Sequence, residues 1–115
     1  MPCVHEFGII DNFKSKKNYN DYNPQKYQCI SVDDDMIQNL SEQLSIIKTH
    51  FHSLDRPEYG LAYCGITIIP HESLALFYNI VTSSKYFSQS LELSELASKI
   101  IQAKEEKKWM IHYGI

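Results

Sequence analysis

The stretch from Leu61 to Ile69, LAYCGITII, constrains the fold more than any other part of the chain, because it is apolar on both alternations of an extended strand. A strand patterned this way has to be covered on both faces, which places it centrally in its sheet. Pro70 follows directly and suits the first position of a helix, with Glu72 in the first turn. Leu74, Phe77, Tyr78 and Val81 then make an apolar arc at helical spacing, while Leu76 and Ile80 fall outside it. Such a helix is expected to be buried on more than one side or to meet a second subunit.

The remaining pattern supplies partners for that strand. CVHEFGII over 3–10 and YQCISV over 27–32 read as strands, and WMIHYGI over 109–115 as a closing strand. Asp33, Asp34 and Asp35 open a helix in which Met36, Ile37, Leu40, Leu44, Ile47 and Phe51 share one face. Its end is expected before the turn residues Pro57 and Gly60. Ser90 suits the cap of a further helix with Leu93, Leu96, Ala97, Ile100 and Ile101 inward. The order is thus β-β-α-β-α-α-β. A βαβ unit calls for a parallel right-handed crossover, so the expected fold is α/β (or α+β), a single domain over 1–115. Its sheet is expected to be mixed, largely parallel and four-stranded, with three amphipathic helices.

Composition narrows the function classes. The chain has 115 residues, 43% hydrophobic and 22% charged, the balance of an ordinary globular domain. A formal charge of −3 and a single arginine, Arg56, argue against a nucleic-acid partner. The opening MPCVHEFGII has no basic segment ahead of a long apolar run, and no stretch approaches the ~20 apolar residues of a membrane span. A cytoplasmic location without membrane contact is therefore expected, with Cys3, Cys29 and Cys64 as reduced, mostly buried thiols. The preference for lysine, with abundant Ile, Asn and Tyr, fits an AT-rich genome.

Two groups of residues stand out as sites. If the sheet is parallel, loops converge beyond its carboxyl edge, bringing Asp34 and Asp35 near His71 and Glu72. That set suits a ligand or a hard divalent cation, or an acid and base pair. Each of these residues is also what the start of a helix wants. The second group, Phe13, Tyr19, Tyr22 and Tyr27, alternates with lysines in a long polar loop and suits a protein contact surface.

Other constellations are weaker. In His50-Phe51-His52, a continuing helix would turn the imidazoles about 160° apart, which no single ion can bridge. Cys64 lies mid-strand among apolar residues, where a thiol is inert. His5-Glu6-Phe7-Gly8-Ile9 is echoed by His112-Tyr113-Gly114-Ile115. If those strands are neighbours, protonating both histidines below pH ~6.5 would loosen the sheet. No glycine-rich phosphate loop, Cys-x-x-Cys pair or nucleophile elbow is present, and no cofactor is implied. A non-catalytic interaction or regulatory domain is expected, of inhibitor or immunity type or a homodimer. The alternative is a small metal-dependent enzyme or ligand binder using the acidic edge.

Overall fold

The computed structural model describes residues 4–11, 24–51, 56–62 and 65–114. β1 (Val4–Ile10) sends His5, Phe7 and Ile9 to one side of a sheet, and Gly8 and Ile10 to the other. β2 (Ile30–Asp33) pairs with it and leads into α1 (Asp34–Leu44), where the Asp33 carboxylate accepts the Asp35 N–H at 2.9 Å as a helix cap. β3 (Lys48–Phe51) and β4 (Pro57–Tyr59) form a hairpin, and β5 (Ile66–Ile69) follows. A 3-10 turn at His71–Ser73 opens α2 (Leu74–Thr82), α3 (Leu91–Glu105) packs beside it, and β6 (Trp109–Tyr113) closes the described chain. Among the described residues no helix is long and apolar enough to cross a membrane.

The strands make a six-stranded sheet in the order β2-β1-β6-β5-β3-β4, and every neighbouring pair is antiparallel. This overturns the expected largely parallel four-stranded sheet: the fold is α+β. The reason is a count of crossings. One helix carries the chain from one end of a sheet to the other, so the strands on either side of it run the same way. Two antiparallel helices bring the chain back to the end it left. β5, α2, α3 and β6 are such a case, and β5 and β6 pair antiparallel with Thr67 opposite His112. β2 and β3 do point the same way across α1, yet three strands lie between them.

Of the two additional strands, β3 came from the end of the first expected helix, and β4 from Pro57–Tyr59, residues expected to form a turn. Ile47 and Phe51 continue the helical period of α1, but Ile47 and Thr49 are both buried at strand spacing. Ser45 caps the helix, its N–H reaching the Ser41 and Glu42 carbonyls. Beyond it, Ile46, Ile47 and Thr49 are β-branched, and such side chains are stiff in helices and pack well on a pleat.

The sheet buries both faces. On one side Phe7, Val32, Ile69 and Met110 meet Ile37, Leu40, Leu74, Phe77, Leu93 and Ile100 of the helices. On the other, Ile10, Ile66, Ile68, Ile111 and Tyr113 pack with Tyr27, Cys29 and Trp109. The segment carrying Tyr27 lies so close to β1 that a Cβ on Gly8 would stand 2.7 Å from the Tyr27 carbonyl oxygen and 2.7 Å from the Cys29 sulfur. Glycine is needed there for want of space, and the Ile9 N–H takes up the contact by donating to the Tyr27 carbonyl at 3.2 Å.

Candidate functional site

His5 and His112 share the helix side of the sheet, on adjacent strands, because both lie at the parity of the core residues Phe7 and Met110. The two imidazoles meet at 2.8 Å between His5 Nδ1 and His112 Nε2, with ring centroids 5.0 Å apart. Asp34, the first residue of α1, turns its carboxylate back over β1, and its Oδ1 lies 2.7 Å from His5 Nε2. Its other oxygen accepts from the Gln38 amide one turn along the helix at 2.6 Å. At the far end, His112 Nδ1 lies 3.1 Å from the hydroxyl of Thr67, directly across the β5–β6 ladder. The Thr67 oxygen in turn accepts the Ala62 N–H at 2.8 Å.

The proton order follows from these partners. A carboxylate only accepts, so His5 Nε2–H donates to Asp34, and His5 Nδ1 is left to accept from His112 Nε2–H. His112 Nδ1 then accepts the Thr67 hydroxyl proton. The opposite order would need a proton on Asp34 and would leave the Thr67 oxygen facing two donors with its own proton unplaced. All four residues are buried, Asp34 the most exposed at 6%. Burial, followed by the neighbouring His5, pushes the His112 imidazole well below its usual value of 6.5. A proton added to His112 would enter a fully buried site, facing another ring nitrogen.

Beside this relay lies a cavity of about 160 Å³. Its floor includes His5, one wall is the Ile37, Gln38, Ser41, Leu44 and Ser45 face of α1, and Tyr59, Gly60 and Leu61 form the other. That second wall is firmly held. Gly60 N–H donates to the Ile47 carbonyl at 2.9 Å, and the Thr49 hydroxyl donates to the Gly60 carbonyl at 2.7 Å. Gly60 also has φ +73, and a Cβ there would stand 3.3 Å from Ser45 Cα, so both conformation and space call for glycine.

The residues expected to share an acidic rim are separated by the topology. β2 and β5 run in opposite directions, so Asp34 and Asp35 leave the sheet at one end, and His71 and Glu72 at the other. Asp34 belongs to the histidine relay, and the Asp35 N–H is held by the cap. His71 Nε2–H donates to the Lys104 carbonyl at 3.0 Å, closing the C-terminus of α3, and Glu72 is exposed near Lys48 and His50. Among the described residues no three His, Cys, Asp or Glu side chains gather as metal ligands. Tyr27 is 7% exposed and belongs to the second core, while Phe13, Tyr19 and Tyr22 lie outside the described residues, as do Cys3, His52 and Cys64. Cys29 is half-buried, and burial with the nearby Glu6 carboxylate pushes its thiol up to about 12.

No family model, curated protein or solved structure matches the chain. The functional reading therefore rests on this geometry. That the two strands could be neighbours was hinted in the sequence by the echo of His5-Glu6-Phe7-Gly8-Ile9 in His112-Tyr113-Gly114-Ile115. The parts played by Thr67 and Gln38 were not, because a threonine in a strand and a glutamine on a helix are ordinary in those places.

Proposed function

We propose that this chain is a non-catalytic interaction or regulatory domain that acts by binding a protein partner, in the manner of an inhibitor or immunity protein. The observation that carries the reading is a corner of the molecule where the sheet ends. Ser45 and Gly60 are in contact there, which brings their neighbours Ile46 and Tyr59 to the same place, 60% and 61% exposed. β4 beside them is the edge strand, with Pro57, Glu58 and Tyr59 all exposed. Large apolar side chains next to an open sheet edge suit a partner that covers both.

The relay supports the non-catalytic part of the reading. A general base needs a lone pair within reach of a substrate. Here both ring nitrogens of each histidine are bonded inside the protein, so the network serves to hold β1, β5, β6 and α1 together. The test is retention of a stoichiometric protein from the native host on the immobilised chain. Retention lost in an Ile46→Glu, Tyr59→Ser double variant, and kept in His5→Gln, is the expected result. Retention indifferent to the double variant, or a turnover abolished by His5→Gln, would overturn the reading.

A further inference from the structure

We infer that the cavity between α1 and the Tyr59–Leu61 wall is a binding site for a small uncharged molecule, a single ring or short branched chain bearing one hydrogen-bond donor. Size sets the first limit. A cavity of about 160 Å³ matches one occupant of benzene size, about six to eight heavy atoms. Charge sets the second. None of the described lining residues is Lys, Arg, Asp or Glu, and the nitrogens of His5 are committed to Asp34 and His112. An ion entering would give up its hydration without a counter-charge.

Polarity sets the third limit. Ile37, Leu44 and Leu61 offer an apolar lining, and Ser41 and Ser45 add hydroxyls one helical turn apart. The Ser41 hydroxyl proton is donated to the Gln38 carbonyl at 2.9 Å, and that of Ser45 to the Glu42 carbonyl at 2.6 Å. Both oxygens keep lone pairs, so the group they recognise is a donor. Phenol carries this chemistry in its simplest form.

The cavity shares Tyr59 and the Ser45–Gly60 contact with the partner surface, but its test uses the isolated chain with no protein added, so the two readings fail separately. The experiment is an NMR titration of the isotope-labelled chain with phenol, and with benzoate, benzylamine and toluene of similar size. The expected result is a saturable shift of the Ser41, Ser45, Gly60 and Leu61 amides, with phenol bound at least tenfold more tightly than benzoate or benzylamine. Toluene is expected to bind more weakly than phenol. Ser45→Phe, which fills the cavity from an exposed helix end, abolishes the shift. Ser41→Leu, at an exposed position and with a better helix former, does the same should the first variant fold poorly. Shifts that never saturate, benzoate or benzylamine binding as well as phenol, or an unchanged phenol response in a folded filled variant would overturn the assignment.

Discussion

Replacing His112 by glutamine separates the acid sensitivity of the relay from its packing. Burial, with His5 beside it, holds the His112 ring neutral in the folded chain well below 6.5. In the unfolded chain the ring takes up a proton near 6.5. Below that pH the unfolded state therefore binds more protons, and stability falls as pH falls. Each pH unit removes about 1.4 kcal/mol while the folded ring stays neutral, so the step from pH 7.5 to 5.0 removes about 2 kcal/mol. For a domain of this size that is a drop of about 1 M in the urea midpoint. Glutamine cannot titrate, yet it offers one donor for His5 Nδ1 and one acceptor for the Thr67 hydroxyl, as the neutral ring does. The variant is expected to be about 1–2 kcal/mol less stable at pH 7.5 from imperfect packing. Its midpoint should then change with pH by about 1 M less than that of the parent. The assay is urea unfolding followed by circular dichroism across this range. Parallel pH profiles for parent and His112→Gln would refute the reasoning, because the other ionisable groups are common to both.

Three further outcomes follow from the packing. Gly8→Ala places a Cβ within 2.8 Å of three atoms of Tyr27 and Cys29, one of them a backbone oxygen, and is expected to cost about 1–3 kcal/mol in thermal unfolding. An unchanged midpoint would show that the Tyr27 segment does not lie on β1. Lys107 ends α3 at φ 57, with the Lys108 N–H donating to the Ala103 carbonyl at 2.9 Å; Lys107→Gly is therefore expected to stabilise the chain by roughly 0.5–1 kcal/mol in the same measurement. With its thiol pushed up to about 12, Cys29 should remain unalkylated by iodoacetamide at pH 8 in the native chain and react once urea is added, as read by peptide mass mapping.

How far the sequence revealed this molecule depended on whether the relevant signal was local. The two-sided apolar pattern of Leu61–Ile69 is local, and its last four residues, Ile66–Ile69, are an interior strand buried on both faces, whereas Leu61 and Ala62 lie outside the strands. The Asp33 and Ser90 caps are local, and both side chains accept the expected backbone N–H. Strand direction is not local. It depended on whether one helix or two lay between strands and on where the returning strand was inserted, and periodicity carries neither. The expected rim of Asp34, Asp35, His71 and Glu72 depended on that direction. The end of α1 was hidden for another reason. Ile47 and Phe51 satisfy both a period of 3.6 and a period of 2, and only the β-branched cluster at Ile46, Ile47 and Thr49 favours the strand.

The proton order from Thr67 through His112 and His5 to Asp34 is read most directly from the imidazole nitrogens themselves. Long-range ¹⁵N–¹H spectroscopy at pH 7.5 should find both rings protonated at Nε2 alone, with a through-hydrogen-bond coupling between His112 Nε2 and His5 Nδ1. Protonation of either ring at Nδ1, with no coupling between the two nitrogens, would mean that the ends of the chain are not joined in this way.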